Sequence, residues 1–265
     1  MTKPDGMEPG MWLAEVWLAR HGLGDAEPTP LIATRLAVRR RAQVAGALLL
    51  AAFLIGVALV RTALGRPTDV ASSWVPLLAL TALVAGLMAA QWLLNLWVRR
   101  VDRRAGARLS RRVAHPVKLG WPEVLGLPHA ALTIASFAAA LLLAVSVLPV
   151  PDPGLRYGAI VVLLSLAGVG AGIVMQLRQV LAGPAVAEDE TSLTADVIMR
   201  VEDARALVTP SLVWSVPVIF LYGESQGWWS VASLALVVAG VIAFCLVHFR
   251  SADAGTAARR ALAVR

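Results

Sequence analysis

The chain is predicted to be an all-α, polytopic membrane helix bundle with six transmembrane helices, cytosolic N- and C-termini and amphipathic cytosolic helices. Three observations predict this class. The mean hydropathy is +0.72, and 58% of the residues are apolar but only 15% charged, whereas about 25% are charged in soluble domains. The apolar residues fall into blocks of about 20, the length of a transmembrane helix. The basic residues flank those blocks.

The orientation is predicted from the segment 98–118, VRRVDRRAGARLSRRVAHPVK. Charge this dense does not readily cross a bilayer, so the segment is expected on the cytosolic side. Four arginines at 35–41 stand directly before the first predicted span and four more follow the last one, so both termini are expected on that same side. Asp102 is the single acid of the segment, and its eight basic residues are Arg99, Arg100, Arg103, Arg104, Arg108, Arg111, Arg112 and Lys118.

Residues 1–41 are predicted to form a cytosolic N-terminal segment with one amphipathic helix, at 11–23. Trp12, Val16 and Ala19 recur there at helical spacing, with Trp17 beside them. A short amphipathic helix with two tryptophans is typical of a segment that lies flat in the membrane interface. We expect that placement, and the alternative is a helix packed on the cytosolic face of the protein itself.

The membrane domain is predicted at 42–249, followed by a basic cytosolic tail at 250–265. The second span is expected to continue as a helix into the arginine-rich segment, with Gly106 as its weak point. The fifth run is short and interrupted by Pro217, so it is either a kinked span that borrows the end of the preceding helix or a re-entrant segment. We favour a span, because a re-entrant segment would turn the basic tail outward. The six predicted spans are 42–60, 74–98, 129–148, 157–177, 208–222 and 228–249.

The second large cytosolic loop begins with an acidic cluster and continues as a predicted amphipathic helix at 193–208. On the polar face of that helix, Asp196 and Arg200 stand four residues apart, a spacing that stabilises a helix by a few tenths of a kcal/mol. The acidic cluster and the arginine-rich loop carry opposite charges and are expected to bind each other or a cytosolic partner. The alternative is that both are ordinary solvated loops, with the basic residues there only because of the membrane topology. The candidate docking residues are Arg103, Arg104, Arg108, Arg111, Arg112, Glu188, Asp189 and Glu190.

Polar residues are sparse within the predicted spans. No Asp, Glu, Lys or Arg falls in their cores, which argues against a proton or ion pathway. Gln91 and Asn95 share one face of the second span. They either line a polar cavity or hydrogen-bond a neighbouring helix, and we expect the second role. Small residues that allow close helix approach, within the protomer or in a homo-oligomer, are Gly168, Gly172, Ala82, Gly86 and Ala90.

The sequence carries no recognisable catalytic constellation, so an enzyme is not expected. The four histidines are scattered and Cys245 is the single cysteine, so neither a metal site nor a cofactor is expected. The net charge of +7 does not predict nucleic-acid binding, because the basic residues lie at the ends of apolar runs. Arginine greatly outnumbers lysine, which suggests the inner membrane of a bacterium with a GC-rich genome.

Two functions are compatible with these features, both in a lipid bilayer. The first is a scaffold, regulatory or immunity-type component that docks a cytosolic partner. The second rests on layout: a cytosolic amphipathic helix, six spans, both ends inside and a large loop between spans two and three. This layout is similar to that of the permease subunit of export-type ABC transporters. The resemblance implies a separate ATPase as the partner, which would supply the energy that uncharged spans do not.

Overall fold

The computed structural model describes residues 8–63, 74–107, 120–183, 189–221 and 227–263. The regular structure of these residues is α-helical. In chain order, the helices are α1 (Pro9–Arg20), α2 (Pro30–Ala63), α3 (Trp74–Ala107), α4 (Trp121–Val147), α5 (Pro153–Ala182), α6 (Glu190–Val208), α7 (Ser211–Leu221), α8 (Trp228–Arg250) and α9 (Ala254–Ala263).

Within the described ranges, six helical segments are long and apolar enough to cross a membrane, which confirms the predicted number of spans. They are Pro30–Ala63, Val75–Arg104, Trp121–Val147, Pro153–Ala182, Glu190–Leu221 and Trp228–Arg250. Their outer faces expose large apolar side chains, such as Leu48, Leu142 and Val231, which are 65%, 69% and 71% exposed. Apolar surface on this scale is stable only against lipid, so the chain is a multi-pass membrane protein.

The bundle is built from a helical hairpin and a larger body. Helices α2 and α3 run antiparallel, and a Cβ added at Gly56 of α2 would lie 3.2 Å from Leu83 of α3. Helices α4, α5, α7 and α8 form the body, and α3 joins the hairpin to it through α5 and α7. The shared core contains Phe53, Leu80, Ala140, Val162 and Phe220. Phe53 is 4% exposed, and the other four are fully buried.

Three helices cap one end of the bundle, which we call the basal end. Helix α6 contacts the start of α4 and the end of α5, α9 packs along α6, and α1 packs on α2. Val124 and Leu125 of α4 share a buried cluster with Val197 and Val201 of α6. By the arginine distribution in the sequence, the basal end is the one expected to face the cytosol.

Helix α1 packs on the protein itself, which is the alternative that the sequence left open. Ala14 and Leu18 are buried against Ile32 of α2 and Met199 of α6. The buried face is not the predicted stripe of Trp12, Val16 and Ala19, since Ala19 is exposed and the other two are only partly buried. Tertiary contact prevails here because the basal end offers an apolar surface formed by segments distant in the sequence.

Helix α4 starts at Trp121, before the predicted start of the third span at residue 129, but a kink at Gly126 divides it into two helical segments. Gly126 has a φ of 72° and marks the kink within this helix, and Pro128 follows two residues later. Glycine adopts this left-handed conformation at no steric cost, so the chain bends and continues. The Glu123 side chain accepts from the Gly120 N–H at 3.0 Å and helps to cap the first turn.

The fifth span is a broken helix. Helix α6 ends at Val208, and α7 begins at Ser211 after the break at Thr209 and Pro210. With 11 residues, α7 is about 17 Å long, shorter than the hydrocarbon core of about 30 Å. The candidate span therefore includes α6, which agrees with the kinked span that borrows the preceding helix. The Thr133 hydroxyl donates to the carbonyl of Val208 at 2.8 Å and satisfies an acceptor at the break.

Candidate functional site

A cavity of about 1140 Å³ lies between the α2–α3 hairpin and the body, and we call it the bundle cavity. Helices α2, α3 and α5 and the break between α6 and α7 line it. The volume exceeds the roughly 300–1,000 Å³ of most small-molecule pockets. Non-helical backbone at membrane depth is tolerated where it lines a cavity, and Thr209 and Pro210 at the break are part of this wall.

Amide side chains form the polar part of the cavity wall. Gln91 and Asn95 of α3 both line the cavity. The Asn95 amide donates from Nδ2 to Oε1 of Gln176 on α5 at 2.8 Å. Asn95 thus makes the predicted hydrogen bond to a neighbouring helix and also lines a polar cavity, so both alternatives of the sequence analysis apply to it. Gln179 is one turn further along α5 and also faces the cavity.

Helices α3 and α5 approach each other closely at the cavity wall. A Cβ added at Gly168 of α5 would lie 2.9 Å from the methyl group of Met88 on α3, so the absence of a side chain permits this contact. One turn further, a Cβ at Gly172 would meet nothing within 4 Å, because Gly172 faces the cavity. In this GxxxG pair, Gly168 thus allows helix contact within the protomer, and Gly172 leaves open space in the cavity.

The basal wall of the cavity is an arginine–aspartate network that joins three helices. Asp102 links the two helices of the hairpin, because Nε of Arg35 donates to its Oδ1 at 3.0 Å and Nη2 of Arg39 donates to its Oδ2 at 2.9 Å. Both arginines are on α2 and are 4% and 9% exposed. The network consists of Arg35, Arg39, Asp102, Asp196, Arg200 and Asp203.

Helix α6 supplies the other half of the network. Asp196 is 1% exposed, and its two oxygens accept from Nη2 of Arg35 at 2.6 Å and from Nε of Arg200 at 2.8 Å. Asp203 accepts from Nη2 of Arg39 at 2.8 Å. Burying charges is costly unless each one is paired and hydrogen-bonded, and every carboxylate of this network accepts from an arginine. The network ties the hairpin to α6 at the basal end.

A second contact holds α1 to the same helix. His21 is buried, its Nε2 lies 3.2 Å from Oε1 of Glu202, and its Nδ1 lies 2.8 Å from the carbonyl oxygen of Trp17. Burial of the ring acts to lower its pKa, but the hydrogen bonds to Glu202 and Trp17 and the charge of Glu202 outweigh burial, so the pKa of His21 is raised. Protonated histidine donates from both nitrogens, which matches these two acceptors.

The predicted docking residues are distributed over several environments. Arg103 is exposed and lines the rim of the cavity, where its Nε donates to the carbonyl of Arg99 at 3.4 Å; Arg104 is exposed. Asp189 is the N-cap of α6 and accepts from the Ser192 N–H at 2.7 Å, and the hydrogen bonds from Ser192 lower its pKa. Glu190 is exposed in the first turn. Arg108, Arg111, Arg112 and Glu188 lie outside the described residues.

A contact that the sequence does not predict joins these basal segments, and the predicted contact between the arginine-rich loop and the acidic cluster stays a prediction. From the sequence, Arg35 and Arg39 are placed only in the positive flank of the first span, and Asp196 and Arg200 on the polar face of their helix. The structure buries that face instead, because α2 brings two arginines against it. Two spacings carried a signal: Arg35 and Arg39 are one helical turn apart, and Asp196 and Asp203 are two turns apart, so each pair shares a face.

The comparisons with known proteins do not extend this description: no family model, curated protein or solved structure matches the chain. Fold and site together define a multi-pass membrane protein with a cavity between two helical units. Its function is therefore inferred from the residues of this chain alone.

Proposed function

We propose that the protein is a transport subunit of permease type, in which the bundle cavity receives a substrate and a separate cytosolic ATPase supplies the energy. The cavity is the observation that carries the proposal. It lies between two units joined mainly through α3, so that a shift of the hairpin against the body would change its opening. Transport by such a rigid-body movement is a known use of cavities between helical units.

The distribution of charge supports an external energy source. The cores of the predicted spans contain no Asp, Glu, Lys or Arg. The broken fifth span of the structure includes the charged residues of α6, but Asp196, Arg200 and Asp203 are held in ion pairs of the arginine–aspartate network. Unpaired residues of the kind that usually couple proton or ion flow to transport are therefore missing from the predicted apolar runs. A partner that acts on the basal end would move the hairpin instead. The arginine–aspartate network is placed to transmit that movement, since it joins α2 and α3 to α6.

The broken fifth span supports the same proposal. Discontinuous helices line the substrate sites of many transporters, because the break exposes backbone groups to the cavity. Here the break at Thr209 and Pro210 faces the cavity and connects α6 of the basal end to α7 of the body. A displacement of α6 would therefore reach the cavity wall directly.

The second candidate is a scaffold, regulatory or immunity-type component that docks a cytosolic partner without transport. One observation favours it: the basal end has its own buried cluster, formed by α4, α6 and α9. Such a layer is a firm platform for a partner whether or not the cavity is used. The two candidates differ in what the cavity contributes.

The test combines purification with a variant that fills the cavity. The full-length protein is purified in mild detergent, co-purifying proteins are identified by mass spectrometry, and nucleotide hydrolysis is measured in lipid nanodiscs. We expect a soluble ATPase to co-purify. We also expect Gly172→Trp to reduce hydrolysis by the complex, because a Cβ at Gly172 meets nothing within 4 Å and the indole ring would occupy the cavity. Cavity filling should leave assembly intact.

Gly86→Trp is the matched control. Gly86 is exposed on α3, and an added Cβ there also meets nothing within 4 Å, but the residue is not part of the cavity wall. Equal hydrolysis by both variants and the wild type would contradict the transport proposal. A co-purifying cytosolic protein without nucleotide hydrolysis would establish the docking function in its place.

A further inference from the structure

Two arginines in the bundle cavity differ from the others in their partners. Arg99 is half-buried, and its guanidinium donates to Oε1 of Gln179 and, at 3.1 Å, to the carbonyl of Gln176. Arg103 donates to the carbonyl of Arg99. In the part of the chain that the structure describes, neither forms an ion pair with a carboxylate. Their hydrogen-bond acceptors are neutral, so their charges are not neutralised by direct contact.

The remaining charges of the cavity wall do not compensate for these two. Arg35, Arg39 and Arg200 engage the three aspartates of the arginine–aspartate network. The wall thus contains five arginines and three aspartates, which leaves an excess of positive charge on the side of Arg99 and Arg103. Arginine binds phosphate and carboxylate groups through paired N–H donors, so this corner of the cavity favours an anion.

The opposite part of the wall is apolar. Along α3, the residues that line the cavity change from Met88, through Gln91 and Asn95, to Arg99 and Arg103. The 15 residue steps from Met88 to Arg103 span about 22 Å on a helix. Val169 and Val213 belong to the apolar part. One cavity therefore offers a hydrocarbon-compatible region, an amide belt and a cationic end in sequence.

We propose that the bundle cavity binds an amphiphile with an anionic headgroup, a phosphate or a carboxylate, that Arg99 and Arg103 hold the headgroup, and that the hydrocarbon chain lies towards Met88 and Val213. This inference rests on the proposed function and names its substrate class. The amide groups of Gln91 and Gln176 contact the region between headgroup and chain.

The test measures binding of fluorescent phosphatidylglycerol and fluorescent phosphatidylcholine to the full-length protein in detergent micelles. Phosphatidylcholine is the neutral comparison, since its headgroup carries no net charge. We expect phosphatidylglycerol to bind at least about tenfold more tightly, as hydrogen bonds to a charged group imply. The Arg99→Gln/Arg103→Gln variant should lose this preference and retain phosphatidylcholine binding. The Arg40→Gln/Arg100→Gln variant removes the same charge from exposed positions outside the cavity wall and should keep the preference.

Three results would overturn the inference. Equal affinity for the two lipids in the wild type would exclude headgroup selection. An equal loss of preference in both double variants would assign it to the net charge of the protein. Displacement of phosphatidylglycerol by inorganic phosphate at equal concentration would show that the site reads a free anion and not an amphiphile. Lipid binding that Gly172→Trp abolishes, but without headgroup preference, would leave the transport proposal standing and refute only this inference.

Discussion

Replacing Asp196 with asparagine should destabilise the protein by about 3 kcal/mol. Asp196 is 1% exposed and accepts hydrogen bonds from two arginines, at 2.6 and 2.8 Å. Asparagine has nearly the same shape, so the change removes the charge without creating a cavity. Breaking a buried ion pair by removing one partner costs about 3–5 kcal/mol. The lower figure applies because Arg35 keeps Asp102 and Arg200 keeps the carbonyl of Gly183.

The assay is thermal unfolding of the detergent-solubilised protein, followed by tryptophan fluorescence. At roughly 2–4 °C per kcal/mol for a chain of this size, Asp196→Asn should lower Tm by about 10 °C. Glu190→Gln is the control, because it removes an acid from an exposed position of the same helix and should leave Tm unchanged. A double-mutant cycle with Arg35→Gln should give a coupling free energy of about 1–3 kcal/mol.

A specific result would refute this reasoning. If Asp196→Asn unfolds at the temperature of the wild type and of Glu190→Gln, the carboxylate is not buried among the arginines. A zero coupling free energy with Arg35→Gln would exclude the direct contact even if Asp196→Asn were destabilising.

Three further predictions concern the packing of α8, a hydrogen bond in the body and the docking of α1. Gly240→Ala should destabilise the protein by about 1–3 kcal/mol, because its Cβ would lie 2.4 Å from Cε2 of Trp214; Gly86→Ala, with open space around it, is the control in the same unfolding assay, and equal Tm values would contradict the contact. Ser136→Ala should lower the free energy of unfolding by about 1–2 kcal/mol, since Nε1 of Trp214 donates to the Ser136 hydroxyl at 2.9 Å in a buried setting. Because that hydrogen bond is already lost in Ser136→Ala, adding Trp214→Phe should cost less there than in the wild type. Equal costs of Trp214→Phe in the two backgrounds would contradict the hydrogen bond. The pKa of His21 is raised in the folded protein, so its contribution to stability is complete below the unfolded pKa of about 6.5 and is lost as pH rises through the higher folded pKa. Tm measured from about pH 5 to about pH 9 should therefore fall more steeply in the wild type than in His21→Gln. Parallel curves for the two proteins would exclude the linkage.

The spans could be predicted from the sequence because each depends on local composition. An apolar block of helical length is read without knowledge of the fold, and the continuation of the second span was also correct, since α3 reaches Ala107 beyond Gly106. The predicted start of the third span at residue 129 lies just after the kink at Gly126, and the helical segment from Trp121 to that kink was not predicted. Whether a glycine bends or ends a helix depends on what packs on both sides of it.

The site could be predicted only in part. Gln91 and Asn95 were found because polar residues are rare inside spans, but their partner Gln176 lies 81 positions beyond Asn95. The arginine–aspartate network was missed because Arg35 and Asp196 are 161 positions apart. Arginine beside a first span is also what membrane topology alone predicts, so Arg35 and Arg39 did not stand out as members of a network. Contacts of this kind depend on which helices become neighbours.

The same sequence separation determines the order in which the protein can be completed. The ribosome makes Arg35 and Arg39 long before Asp196 and Asp203, so during synthesis the first hairpin has Asp102 as its only carboxylate from the finished network. Until α6 is made, Arg35 and Arg39 lack the two carboxylates, Asp196 and Asp203, that it contributes. Closure of the basal end is therefore a late event, governed by the emergence of α6, and a chain truncated before residue 196 would insert its first hairpin but leave it unlocked.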